Sequence, residues 1–235
     1  MTGAFDILIP CKGFSRGKSR LAGTISSENR YALCRAFLLN TLDVAAGVRG
    51  KRCIAVVTED DEVRAIAKSA GATILDDPGG GASAAVAAAN KTLAAMAPSP
   101  GGLLVLPADL PLATAASLED IVQAAGQIVI APDRAGTGTN AMFFRSMARA
   151  GFPFSFGPDS LNRHLDSAAR SGHSVALVKD KRLGLDIDEP ADLATLSSSP
   201  LSPPIVRYLA LTAMAHSRKD VPTTLRRAGG GHGAI

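Results

Sequence analysis

The chain of 235 residues has no tryptophan, and aromatic residues make up only 4% of it. Proteins that grip single-stranded nucleic acid stack bases on aromatic side chains, so this poverty argues against that class. Cysteine is sparse too. Cys11, Cys34 and Cys53 are odd in number and have no C-x-x-C spacing. That sets aside a disulfide scaffold or a zinc site and fits reduced cytosolic thiols. No apolar stretch suits a membrane span, and residues 1–6 lack the charged start and apolar run of a signal peptide. These absences lead us to expect a cytoplasmic protein that binds neither membrane nor nucleic acid.

What is present is ordinary for a soluble globular chain, with 46% hydrophobic and 20% charged residues. The length suffices to bury a core as one domain. The net charge is +4, and much of the excess sits in an early loop and in the C-terminal tail. Neither region interleaves its charges with aromatic residues as a nucleic-acid groove does.

The early loop is the most informative stretch. Residues 7–21 read ILIPCKGFSRGKSRL. An apolar run that fits a buried strand enters a loop with two glycines and with Lys12, Arg16, Lys18 and Arg20. Glycines let the backbone approach a ligand, and free N–H groups at a helix start favour an anion. Four cations add charge suited to a polyphosphate. Three readings compete. Gly13-Phe-Ser-Arg-Gly17-Lys18-Ser19 falls one residue short of the P-loop pattern G-x-x-x-x-G-K-[ST]. A nucleotidyltransferase loop would use Lys18 and Arg20 on a triphosphate. A basic surface loop would bind nothing.

Short apolar runs then alternate with helical periodicity. Strands are expected at residues 7–10, 54–58, 72–75, 103–106 and 128–131. Helices are expected at 28–48, 61–69 with Asp60 or Asp61 as cap, 83–96 and 117–125. This order implies an α/β fold, a mostly parallel central sheet with helices on both faces. Ligands of such sheets lie at the carboxyl ends of the strands. The basic loop, Thr58, the glycines at 79–81 and Asp109 should therefore gather on one edge. The alternation changes after Asp133. An apolar run at 141–144, a helix through His164 to about residue 170, a strand at 175–178, a short strand at 185–188 and a helix from Pro190 are expected there. From residue 197 the chain turns rich in Ser, Pro and Gly. We expect a domain over 1–196 and a C-terminal tail over 197–235, with a helix at 205–216.

Asp109 ends a buried apolar run between prolines 107 and 111. A carboxylate beside a triphosphate needs a cation between them, usually Mg²⁺; a turn or cap role is the alternative. Asp186 and Asp188 alternate about Ile187, which on a strand puts both carboxylates on one face. Paired acids suggest a metal as well, while Asp188 also suits a cap for the helix at Pro190.

Taken together these stretches resemble the guanylyltransferases of coenzyme F420 biosynthesis, the 2-phospho-L-lactate or phosphoenolpyruvate guanylyltransferase family. The similarity rests on Ile9-Pro-Cys-Lys-Gly, Gly17-Lys-Ser-Arg-Leu-Ala, Arg30, Leu106-Pro-Ala-Asp-Leu-Pro-Leu, Ala131-Pro-Asp-Arg, Gly136-Thr-Gly-Thr-Asn-Ala, Phe156-Gly-Pro-Asp-Ser, His164 and Leu185-Asp-Ile-Asp-Glu-Pro-Ala-Asp-Leu, in order over about residues 7–196. The resemblance implies a GT-A-like nucleotidyltransferase fold, Mg²⁺, GTP and a phosphorylated three-carbon acid. A phosphate oxygen of that acid would attack the α-phosphorus of GTP and release pyrophosphate. Such chemistry asks for positioning and charge neutralisation more than for acid–base groups.

On this basis Lys18, Arg20 and Asp109 would be catalytic, and Asp109, Asp186 and Asp188 would hold the metal. Pro10, Lys12, Gly13, Lys18, Ser19, Thr58, Gly81, Ser83 and Pro107 would bind the nucleotide. The resemblance implies that Thr139, Asn140, Gly157 and Ser160 line the acceptor site, with His164 as a further donor or as a satisfied core residue. The chain departs from the family at Ala82-Ser83, where Leu-Asn is common, so 3-phospho-D-glycerate stays open as acceptor. Molybdenum-cofactor nucleotidyltransferases and a non-catalytic GTP-binding regulator are the other readings. The former usually begin with Leu-Ala-Gly-Gly, absent here, and the latter has no need of Asp109 with the 186/188 pair. The sequence leaves a homodimer open.

Overall fold

In the computed structural model of the chain, residues 3–97, 101–197 and Ile205 are described. Four strands, β1 (Phe5–Pro10), β2 (Lys51–Thr58), β3 (Thr73–Asp76) and β4 (Gly102–Val105), form the first half of a sheet. They lie side by side as β3-β2-β1-β4, all parallel. Their runs are apolar without interruption because both faces are covered. Successive side chains point to opposite faces. Ile7, Ile9, Val56 and Leu104 pack with Leu38 and Leu42 of α1 (Ser27–Gly47), Val63 of α2 (Asp61–Ser69), and Leu118 and Ile121 of α4 (Ala115–Gln123). Leu8, Val57, Leu103 and Val105 pack with Val86, Ala89 and Leu93 of α3 (Ala82–Ala95) and with Leu161 and Ala168 of α5 (Ser160–Arg170).

Side-chain caps fix where these helices begin. Asp60 accepts hydrogen bonds from the N–H groups of Glu62 and Val63, both at 3.0 Å, and so starts α2. Thr114 and Ser117 cap each other reciprocally, which starts α4 two residues earlier than its periodicity suggests. Each such cap contributes about 1 kcal/mol.

The second half is mixed. β5 (Ile128–Pro132), β6 (Thr139–Phe144) and β7 (Val175–Leu177) complete a seven-stranded sheet in the order β3-β2-β1-β4-β6-β5-β7. β6 runs antiparallel to both β4 and β5, while β5 and β7 are parallel. A reversed strand begins where its neighbours end. Thr139 and Asn140 therefore start β6 at the edge that also carries the carboxyl ends of β1, β4 and β5.

At the opposite edge the amino ends of β1 and β4 are fastened by a wholly buried arginine. Arg149 donates to the carbonyls of Gly101 and Gly102, to Asn90 and to the buried carboxylate of Asp6. Burying a charge is costly unless it is fully paired, and this guanidinium is. Its desolvation is met by structure, away from the site edge.

The strand expected at residues 185–188 is not formed. The alternation of apolar and acidic residues is real, but among the described residues no strand pairs with this segment. Leu185 and Ile187 instead bury themselves in a third cluster with Leu21, Leu33, Phe37 and Leu196. The N–H groups of Asp188 and Glu189 donate to the side chain of Asp192 in α6 (Pro190–Ser197), at 3.1 and 2.8 Å. The expected tail and its helix at 205–216 lie outside the described residues, except for Ser197, which ends α6, and Ile205, buried in the third cluster. Among the described residues no helix is long and apolar enough to cross a membrane.

Candidate active site

A cavity of about 700 Å³ opens along the edge where β1, β4 and β5 end. Pro10, Lys12, Lys18, Ser19 and Arg20 line it from the loop after β1, and Pro107 and Asp109 from the loop after β4. Thr139, Asn140, Gly157 and Ser160 line it from the second half of the chain, and Asp186 and Asp188 close it. Gly81 lines a smaller adjoining hollow of about 270 Å³ with Lys12, Arg16 and Asp77.

Three of the expected nucleotide-binding residues stand behind this wall. Thr58 is fully buried, and its hydroxyl accepts from the Asp60 N–H at 3.2 Å. A Cβ on Gly13 would fall 2.5 Å from the Asp60 carboxylate, so glycine there lets the loop close on the cap of α2. The hydroxyl of Ser83 accepts from the Phe156 N–H at 2.8 Å and ties α3 to the loop before α5.

One side of the cavity is charged. The loop after β1 makes two 3-10 turns, Phe14–Arg16 and Ser19–Leu21, with Lys18 between them at φ 52°, ψ 43°. A non-glycine residue in the left-handed region carries strain on the order of 1–3 kcal/mol. Here it aims the side chain inward. The Lys18 Nζ lies 2.5 Å from Asp109 Oδ2 and 2.9 Å from Asp188 Oδ1, and the side chain is only 8% exposed. Burial pulls the ammonium down, but the two carboxylates outweigh it and hold Lys18 above the usual lysine range. Arg20 reaches Asp188 at 3.6 Å from a mostly exposed position, a contact of little energetic weight. Asp186 is raised above the usual carboxylate range, first by burial and then by the charge of Asp109. The Asn140 amide offsets part of this. It donates to the Leu183 carbonyl at 2.9 Å and to Asp186 at 3.3 Å, so both its hydrogens serve the 183–186 segment.

These acids fit a hard divalent cation. Among the described residues no three metal-ligating side chains are gathered as a ready site. A cation nevertheless already lies between Asp109 and Asp188, in the form of the Lys18 ammonium. Asp109, Asp186 and Asp188 set three carboxylates against the Lys18 ammonium and the Arg20 guanidinium, and oxygen donors are what Mg²⁺ takes.

Around Thr139 the other side is built of neutral, hydrogen-bonded groups, although Asp133 and Asp159 also line the cavity. The Thr139 N–H donates to Ser160 Oγ at 2.9 Å. Thr139 Oγ1 lies 3.0 Å from His164 Nδ1, and the Ser155 N–H donates to His164 Nε2 at 2.9 Å. His164 is fully buried and does not line the cavity; it stands behind Thr139. Burial first, and the nearby Arg163 charge second, push its pKa from 6.5 down to about 4.

The sequence reading passed over several lining residues. Asp133, at the end of β5, follows the same rule that singled out Asp109, an acid after an apolar run. Asp77 and Phe156 also line the cavity. So do Cys11 and Cys34, which their spacing gave no reason to place together. Burial, then the charge expected on Cys34, pushes the Cys11 thiol up to about 12. Burial likewise raises Cys34. Both thiols stay protonated and are poor nucleophiles.

Among the described residues the cavity offers cations and hydrogen-bond donors of the kind phosphates take, and no activated thiol for covalent catalysis. Solved structures share the fold. A putative nucleotide-diphospho-sugar transferase from Desulfovibrio desulfuricans matches with a TM-score of 0.69 at 17% identity, over 94% of this chain and 100% of that one. CMP:2-keto-3-deoxy-manno-octonic acid synthetase, solved with CTP, matches at 0.56 and 12% identity over 83% and 97%. The fold is the GT-A-like nucleotidyltransferase fold.

Within that class the chain belongs to the "guanylyl transferase CofC like" family, whose profile matches residues 5–198. The chain is 35% identical to a phosphoenolpyruvate guanylyltransferase of Rubrobacter xylanophilus over 195 residues, 82% of this chain and 93% of the relative. It is 32% identical to a 3-phospho-D-glycerate guanylyltransferase of Phenylobacterium zucineum over 209 residues, 83% and 90%.

Proposed function

We propose that the protein joins GMP from GTP to phosphoenolpyruvate or 2-phospho-L-lactate, releases pyrophosphate, and serves coenzyme F420 biosynthesis in the cytoplasm. The catalytic unit on this reading is residues 1–196. The observation that carries it is the division of one cavity into a cationic and acidic wall around Lys18 and a neutral hydrogen-bonding wall around Thr139. A triphosphate with its metal suits the first wall, and a small anionic acceptor suits the second.

An oxygen of the acceptor's phosphate attacks the α-phosphorus of GTP. The new P–O bond forms as the bond from the α-phosphorus to the bridging oxygen breaks, and that electron pair leaves with pyrophosphate. A phosphate monoester is already largely ionised at neutral pH, so no base is needed to prepare the nucleophile. Protonated thiols and a neutral buried histidine are consistent with that. Lys18 and Arg20 face the charge that grows on the leaving pyrophosphate, where fixed cations favour the transition state. Asp109, Asp186 and Asp188 would hold Mg²⁺, which when bound neutralises phosphate charge and draws the reacting groups together. Thr139 and Ser160 orient the acceptor, and orientation removes entropy from the barrier.

The test is turnover of GTP with Mg²⁺ and a panel of three-carbon phospho-acids, read by pyrophosphate release and product mass. A guanosine diphosphate ester of one of these acids is expected. Turnover of 3-phospho-D-glycerate alone would favour the second reading, which the Phenylobacterium relative supports. No ester with any acid would refute the proposal.

A further inference from the structure

We propose that His164 is a positioning residue, one that leaves the Thr139 hydroxyl proton free for the anionic acceptor without touching that acceptor. The argument begins with a group that has no choice. The Ser155 N–H can only donate, and it points at His164 Nε2 from 2.9 Å. That nitrogen must therefore be bare. A neutral imidazole has one ring proton, so it sits on Nδ1. Nδ1 is 3.0 Å from Thr139 Oγ1, and this contact then has one direction, with the ring donating and the hydroxyl accepting.

The Thr139 hydroxyl still owns a proton, and among the described residues no other side chain or backbone group is placed to accept it. Thr139 lines the cavity. Ser160 is in the same state. Its oxygen accepts from the Thr139 N–H, the residue lines the cavity, and its own proton has no acceptor among the described residues. Each hydroxyl has one lone pair engaged by the protein and keeps its proton free to donate. A free proton of that kind suits a carboxylate or phosphate oxygen.

The surroundings keep the histidine in this state. Its ring lies between Phe152 and Phe156, with centroids 6.0 and 5.1 Å away. The apolar shell makes a charged ring costly. A charged ring would also face the Ser155 N–H with a second proton.

The inference rests on the acceptor wall of the proposed function, so its test has one arm that needs no turnover. Nitrogen-15 NMR of the intact protein should show His164 with its proton on Nδ1 at pH 7. A proton on Nε2, or a charged ring, would overturn the inference whatever the enzyme's substrate. The second arm uses two substitutions. His164→Asn can keep a donor near the Nδ1 position but gives up the Ser155 contact. His164→Gln can keep an acceptor near Nε2 but gives up the donor to Thr139. We expect His164→Gln to raise acceptor KM roughly tenfold with little change for GTP, and His164→Asn to lie nearer the parent. In a Thr139→Val background His164→Gln should add almost nothing, because coupled residues are non-additive. Equal effects of the two substitutions on both substrates, or full additivity with Thr139→Val, would reduce His164 to a packing residue. Failure of the parent to turn over any phospho-acid would refute the proposed function and leave the tautomer measurement standing.

Discussion

On the proposed reading the two walls of the cavity solve the same problem, holding anions, by different means. The wall built from the loops after β1 and β4 uses full charges: Lys18, Arg20 and Asp109, with Asp188 brought in opposite. The wall built from β6 and α5 uses neutral hydrogen-bonding groups, Thr139 and Ser160, with His164 behind Thr139. Charges act over distance and tolerate loose geometry, so they suit a triphosphate whose charge grows during reaction. Neutral donors act only when aligned, so they suit a small acceptor that must be presented in one pose. The difference follows from secondary structure. The charged groups sit on turns, whereas the neutral ones start a strand and a helix that the core holds rigid.

The largest effect should come from the acids. Asp109→Asn and Asp188→Asn each keep the shape of the side chain but remove a negative ligand from the proposed metal site. We expect turnover to fall by about three orders of magnitude or more, in line with loss of a main electrostatic element, with the far-UV spectrum unchanged. Asp186→Asn should be milder, because burial already disfavours its charge. Near-parental turnover of both Asp109 and Asp188 variants at limiting Mg²⁺ would remove the metal from this wall.

Next are the cations. Lys18→Ala should lower kcat by roughly 10²–10³-fold, and Arg20→Ala by less, since Arg20 is largely exposed and Lys18 is not. A rise in KM for GTP with kcat intact would mean uniform binding rather than transition-state stabilisation. The charged wall would then work much as the neutral one does.

A smaller effect should come from the neutral wall, and it should fall on one substrate. Thr139→Val removes a donor at nearly constant volume and should raise acceptor KM about tenfold, the cost of a hydrogen bond to a charged group. Ser160→Ala also leaves the Thr139 N–H without its acceptor, so a drop in melting temperature should accompany the change in KM. If both substrates suffered alike in Thr139→Val, the two walls would not be specialised at all.

The smallest consequence for catalysis is a pH dependence of stability. The fold holds the His164 pKa at about 4, below its ordinary 6.5, so it favours the neutral ring. That contribution is complete above pH 6.5 and is lost as the pH falls through 4, on the order of 3 kcal/mol in all. Denaturant melts of the parent minus those of His164→Gln should show this loss on acidification. A difference flat between pH 7 and 4 would mean that the ring is not held neutral.

Much of this was legible in the chain. The runs at 7–10, 54–58 and 103–106 announced buried parallel strands because two covered faces demand uninterrupted apolar residues. Asp60 and Asp61 announced the start of α2, because a short acidic side chain satisfies free N–H groups, and the structure gives the cap to Asp60. The acids and cations after those runs were expected on one edge, since a parallel sheet gathers such loops there, and they line one cavity. Residues 185–188 misled, because alternation makes a strand only where a neighbour pairs with it.

What the sequence determined by itself is the fold class, the family and the identity of the charged wall. These depend on local periodicity and on charges whose effect needs no exact placement. The tertiary structure alone decided the rest. It reversed β6 and so carried Thr139 to the edge shared with Asp109. It set Thr58, Gly13 and Ser83 behind the wall, and it put His164 behind Thr139 with its proton assigned. Hydrogen bonds depend on direction and on distances of tenths of an ångström between residues far apart in the chain, and no pattern along the chain encodes those.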